Sequence, residues 1–317
     1  MYTKYSNTFQ EEDFEKAKKY FERAIQLDSG YAEAYAGLAE MYDVRRNIKG
    51  KEFPKELLEL KQKLARKAFQ LNPNSSFVNF AMAYALLHRT EPDIDSGFFF
   101  LKKALYLDPA DAINYANLGG DLSFILGLHS IGIPLSLKAI KVDPLDPNNY
   151  AMLGHQYGML GKYPEAKKAF QTCIDLTNDQ FFFDGFLLFW LVYFGDYDKV
   201  ETRLKTRADP GAGIYPLIKS FLYASKGEPD KISPEHRNDI YILLAANRNK
   251  VLKDVIKRLE EEIDKGNNSF SYDYNWLASS SYLDVYRGDP DFKRVLAKAK
   301  KNYEANLLKY GKIEIPD

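Results

Sequence analysis

Apolar residues along this chain recur at i, i+3, i+4 and i+7, the spacing of one helix face, and strand-like alternation is missing. Successive helical stretches close on one phrase: Leu71-Asn72-Pro73, Leu107-Asp108-Pro109 and Val142-Asp143-Pro144. Leu27-Asp28-Ser29 and Leu176-Thr177-Asn178 keep the phase without the proline. From Pro73 the steps to Pro109, Pro144 and Asn178 are 36, 35 and 34 residues. Proline cannot continue the helix before it, and its fixed φ suits the turn into the next. The pattern predicts two helices per repeat.

The residues within each period are equally regular. In the stretch from Pro147 to Asn178, Tyr150, Leu153, Gly154 and Tyr157 share one helix face. Gly161 and Tyr163 fall at a turn, and Ala166, Phe170 and Cys173 lie on the second helix. Tyr115, Leu118, Gly119 and Leu122 repeat the first-helix pattern, as do Tyr35, Leu38, Ala39 and Tyr42. This pattern resembles the tetratricopeptide repeat. The resemblance implies an all-α fold, a right-handed superhelix of stacked antiparallel helix pairs, because a single pair cannot bury its apolar face alone. Residues 1–206 read as about five to six repeats, the first incomplete. Residues 207–317 read as degenerate helical repeats and C-terminal capping helices continuous with them. The surplus length between Tyr42 and Pro73 predicts a loop around Arg45 to Pro54. Asp289-Pro290 predicts the start of a last helix ending at Gly311, and Ser233-Pro234-Glu235 the start of an earlier one.

The opening, Glu12-Asp13-Phe14 through Tyr35-Ala36-Gly37-Leu38-Ala39, and the closing Arg287-Gly288-Asp289-Pro290-Asp291-Phe292 give a narrower resemblance. They are similar to the C-terminal repeat region of bacterial multidomain signalling proteins: winged-helix activators, nucleotide cyclases and serine/threonine kinases. That resemblance implies a regulatory or docking region with an effector domain upstream, and the half-present first repeat fits a piece of a longer chain.

Composition narrows the function classes. The chain has 317 residues, 45% apolar and 15% aromatic, with 44 basic and 44 acidic side chains. No basic excess points to nucleic acid. One cysteine excludes an internal disulfide framework and a cysteine-built zinc site. The most apolar stretch, Phe181 to Phe194, contains Asp184 and Gly185 and falls short of the roughly 20 residues of a spanning helix. No direct membrane insertion is expected. The cytoplasm is the expected compartment, or an extracytoplasmic one if the chain follows a membrane anchor.

Bond-making chemistry finds little support. Gly158-x-x-Gly161-Lys162 is a partial phosphate-loop string, but it falls on the tight turn of a repeat. The four histidines are scattered, and Cys173 holds a small-residue packing position. Asp93-Ile94-Asp95-Ser96-Gly97 hints at a calcium loop, yet its glycine is one place early and Ala104 stands where a bidentate Glu belongs. Asp95 or Ser96 as a helix N-cap is the preferred reading. No catalytic residue, metal or cofactor is expected.

In tetratricopeptide proteins the first helices line the peptide-binding face. That register, carried over, gives Phe77, Phe80, Tyr84 and His88, then Asn117 and Phe124, then Asn148 and His155, then Phe182 and Phe189. The familiar carboxylate clamp needs Lys, Asn and Arg in these places, which here are mostly apolar or aromatic, their few polar residues being uncharged Asn and His. The stripe reads as an aromatic groove for a peptide or partner protein, as core packed by the C-terminal helices, or as an oligomer interface. A non-catalytic interaction or sensor scaffold is the leading expectation. A small-molecule-sensing regulatory domain is the alternative.

Overall fold

Each repeat closes where the sequence says it should. Asn72, Asp108 and Asp143 adopt φ/ψ of −143°/85°, −142°/84° and −128°/92°, outside the helical region, because the proline that follows crowds their backbone. The computed structural model describes residues 11–49, 54–176, 184–206, 214–237, 239–246, 252–265 and 272–315. Contacts divide the chain into two units. One runs from Met1 to Leu118 in its continuous part, and the other holds residues 119–179 and 183–315.

Unit 1 contains α1 (Glu11–Leu27), α2 (Ala32–Lys49), α3 (Lys55–Leu71), α4 (Ser76–Leu87), α5 (Ile94–Leu107) and the first half of α6 (Ala112–Phe124). The α2/α3 and α4/α5 pairs are helical hairpins, and α2 also packs along α4. Phe14, Ala17, Leu38, Met41 and Tyr42 form one core cluster, with Leu57 and Leu64 of α3 packed on it. The loop expected around Arg45 to Pro54 does not begin at Arg45, and residues 50–53 of it lie outside the described residues. Helix α2 continues to Lys49, since Val44 to Lys49 has no glycine or proline to stop it. The N-cap of α5 is Asp93, whose carboxylate accepts from Ser96 N at 3.1 Å, and neither Asp95 nor Ser96 takes that place.

Unit 2 continues with α7 (His129–Val142), α8 (Pro147–Met159), α9 (Tyr163–Leu176), α10 (Asp184–Tyr193), α11 (Tyr197–Lys205) and α12 (Tyr215–Lys226). It ends with α13 (Ile240–Ala246), α14 (Leu252–Asp264), α15 (Tyr274–Ser279) and α16 (Pro290–Tyr310). Asp289 caps α16 through Asp291 N and Phe292 N, as expected. Ser233-Pro234 opens only a single 3-10 turn, Pro234–His236. Among the described residues there is no strand.

A polar device repeats with the helices. Asn79, Asn114 and Asn149 stand 35 residues apart and are buried. Each side-chain amide donates to the carbonyl six residues earlier: Pro73 O at 2.9 Å, Asp108 O at 3.0 Å and Asp143 O at 3.2 Å. The turn between repeats thereby keeps its backbone satisfied away from water. Asp184, another 35 residues on, accepts instead from Arg203 Nε at 2.8 Å. Gly154 serves close packing: a Cβ there would lie 2.9 Å from the Phe170 ring across the α8/α9 hairpin.

Candidate functional site

The stripe along α4 stays half open. Phe77, Phe80, Tyr84 and His88 occupy i, i+3, i+7 and i+11, so their rings follow one side of the helix. Successive ring centroids are 6.4, 4.5 and 4.7 Å apart. Phe80 is buried, while Phe77, Tyr84 and His88 keep part of their surface in solvent. Helix α6 lies beside α4 at its N-terminal end, where Asn114 Nδ2 donates to Ser76 Oγ at 2.9 Å. One turn further along α6, Asn117 Nδ2 is buried without a hydrogen-bond partner among the described residues.

Beneath the row sits a charged pair that the sequence reading missed. Lys61 is fully buried on α3 and forms an ion pair with Asp43 of α2. Its Nζ also donates to Tyr84 O at 2.9 Å, and His88 Nδ1 donates to Asp43 Oδ2 at 2.8 Å. The pair therefore ties α3 and α2 to both the backbone and the last ring of the row. A signal was present: Leu57, Lys61, Leu64, Ala65 and Ala68 share the apolar phase of α3, and a lysine in that phase needs a buried acid.

In unit 2 the same register becomes interior. His155 is buried, with its ring 5.0 Å from Phe124 and 4.9 Å from Phe186. Trp190 Nε1 donates to His155 Nδ1 at 3.2 Å, which places the imidazole proton on Nε2. Phe189 stacks on Phe221 at 4.9 Å and meets the edge of Tyr241. Asn148 is half-buried and spends its amide on Asp146, the N-cap of its own helix. Phe182 lies outside the described residues.

The C-terminal segment closes on the ends of the same helices. Asn275 Nδ2 donates to Gly127 O at 2.9 Å, Ser279 Oγ to Met159 O at 3.2 Å, and Ser281 N to Tyr193 OH at 3.1 Å. Asn306 of α16 reaches Leu126 O at 3.1 Å. Residues 272–286 thus run across the C-terminal ends of α6, α8 and α10, bonding to carbonyls that the first two ends leave open and to the Tyr193 hydroxyl of the third. Within unit 2 both His155 and Phe189 are buried.

Burial, and secondarily the charge of His129, hold the His155 imidazole well below its ordinary value of 6.5, so the folded protein keeps it neutral. An unfolded chain takes up a proton near 6.5 that the native state refuses. Lowering the pH from 7.5 to 5.5 is therefore expected to destabilise unit 2 by about 1.4 kcal/mol in total from this group. The check is the urea midpoint, read from tryptophan fluorescence. His155→Gln, which retains an acceptor for Trp190, flattens the dependence by one proton; an unchanged slope would contradict the assignment.

Burial also pushes the Cys173 thiol up to about 12, which removes it as a nucleophile near neutral pH. Among the described residues no three His, Cys, Asp or Glu side chains converge on a metal position. None of the described helices is long and apolar enough to cross a membrane.

Tetratricopeptide-repeat models match residues 135–168 and 9–31. Among solved structures, the chain is similar to the human IFIT1 dimer with PPP-AAAA, at 17% identity and a TM-score of 0.52, over 94% of this chain and 69% of that one. It is equally similar to the human IFIT1 dimer with m7Gppp-AAAA, at 17% identity and a TM-score of 0.53, over 96% and 69%. At such identity the likeness is one of fold. No curated protein sequence matches the chain. The fold is all-α and built of tetratricopeptide-type helix pairs.

Proposed function

We propose that this chain is a non-catalytic interaction scaffold that docks a peptide or partner protein on the half-open aromatic row of α4. The observation that carries the reading is the row itself, with its rings in line and its backbone pinned from below by Lys61 and Asp43. Rigid aromatics supply contact area at little ordering cost. The PPP-AAAA and m7Gppp-AAAA of the IFIT1 structures belong to those proteins. Here the cation beneath the row is neutralised by Asp43, which favours a peptide over a polyanion at this place. The narrower resemblance would make the docked partner an effector domain of a larger signalling protein.

A random dodecapeptide display library panned on the purified chain tests the proposal. Peptides that are selected should bind Tyr84→Ala and Phe77→Ala more weakly by roughly 2 kcal/mol, about thirtyfold in Kd. Leu308→Ala, far along α16, should leave affinity unchanged. Selected peptides that bind both row variants like the parent chain would remove the row from the site.

A further inference from the structure

The outer helices of unit 1 carry a feature that neither the repeat nor the aromatic row accounts for. From Lys18 of α1, Lys63 of α3 and Leu101 of α5 to the ends of their helices stand eight cations: Lys18, Lys19, Arg23, Lys63, Arg66, Lys67, Lys102 and Lys103. The same three stretches hold a single acid, Glu22, which lies 3.9 Å from Lys18. The whole chain has no net charge, so this surface is a local concentration of cations. Helix α5 lies against α3: the Phe69 and Phe100 rings meet at 5.2 Å, and Lys103 Nζ reaches Pro73 O at 2.9 Å.

Large apolar side chains stand among these cations. Tyr20 is 65% exposed, Phe99 61% and Tyr106 53%, and Leu27 and Leu107 are exposed beside them. Phe99, Lys102, Lys103 and Tyr106 occupy i, i+3, i+4 and i+7, one face of α5. The helix dipole does not explain the cations, because its effect is confined to the last turn and none of the three helices has a basic residue there. Core packing does not explain the aromatics, because they are in solvent.

We propose that this outer face is a peripheral docking surface for an anionic lipid bilayer. Lysine and arginine heads would meet acidic headgroups while Phe99, Tyr20, Tyr106 and the two leucines enter the interface, the pairing that interfacial helices use. Exposed leucines beside the aromatics favour a bilayer over a single-stranded nucleic acid, which uses stacking rings and cations but gains little from aliphatic side chains. The surface involves none of the α4 row, so its test stands apart from that of peptide docking.

The experiment is co-sedimentation of the full chain with vesicles of phosphatidylcholine alone and with roughly a third phosphatidylglycerol. Binding is expected only to the anionic vesicles, and it should weaken as salt is raised, since charge attraction is screened. Each cation near an anionic surface contributes about fivefold. The triple variant Lys63→Gln, Lys67→Gln, Lys102→Gln should therefore bind about a hundredfold less, with its helicity and melting unchanged. Phe99→Ser should weaken the binding that survives at high salt. No binding to anionic vesicles, equal binding to both kinds, or an undiminished triple variant overturns the proposal. Oligouridylate bound by the parent chain and lost in the triple variant, without vesicle binding, overturns it in favour of nucleic acid.

Discussion

Replacing Trp190 with alanine is expected to destabilise unit 2 by about 3–5 kcal/mol, a large part of the total stability of a typical domain. Trp190 is fully buried and lies within 5.2–6.5 Å, ring centre to ring centre, of Tyr193, Phe189, Phe194, His155 and Phe170. Gly158 is shaped to it. A Cβ at that position would lie 2.6 Å from the indole, so the glycine exists where the ring needs room. Truncation leaves a void whose lining is itself rigid aromatic surface, which collapses poorly. It also leaves His155 Nδ1 without its donor. Trp190→Phe separates the two effects, keeping most of the ring and losing the N–H, at an expected cost of about 1–3 kcal/mol. The chain has two tryptophans, and Trp276 is also in unit 2. Its fluorescence during urea unfolding reports the loss directly. A Trp190→Ala chain within about 1 kcal/mol of the parent would show that the aromatic seam does not hold unit 2 together.

Asp43→Ala is the second large effect, expected to cost unit 1 about 3–5 kcal/mol. The substitution leaves the Lys61 ammonium buried with no counter-charge and takes from His88 the acceptor that orients its ring. The sign reverses for joint replacement: Lys61→Met with Asp43→Leu removes both charges and should return stability to within about 1–2 kcal/mol of the parent. Unit 1 contains no tryptophan, so the readout is far-UV circular dichroism during denaturation. If Asp43→Ala is as destabilising as the double variant is, the pair is not coupled as the geometry shows. Selected peptides should bind the folded double variant more weakly than the parent, because Tyr84 and His88 lose their support.

Much of the architecture was legible because it is written in short-range rules. Proline after Asn72, Asp108 and Asp143 marks where helices end, and Asp289-Pro290 marks where the last begins. The asparagine ladder at 79, 114 and 149 is written in the sequence as a 35-residue spacing, but spacing alone does not say that each amide bonds the turn before it. The errors are local too. Asp93 outcompetes Asp95 and Ser96 as a cap because its carboxylate reaches Ser96 N. Helix α2 runs on past Arg45 to Lys49 because nothing in Val44 to Lys49 breaks it.

The candidate site divides differently. Helical spacing assigned Phe77, Tyr84, His155 and Phe189 to one register, and each does lie on a first helix. Spacing says which side of a helix is apolar; it does not say what will cover that side. In unit 2 Phe189 is met by Phe221 of α12 and Tyr241 of α13, 32 and 52 residues further along the chain. In unit 1 Phe77 and Tyr84 keep solvent on part of their rings. The sequence alone determined the period, the helix ends and the register of the stripe, because these follow from backbone geometry within a few residues. Which part of that stripe is core, and that Lys61 and Asp43 meet beneath the rest, was decided only by tertiary structure, because burial depends on segments that no local pattern brings together.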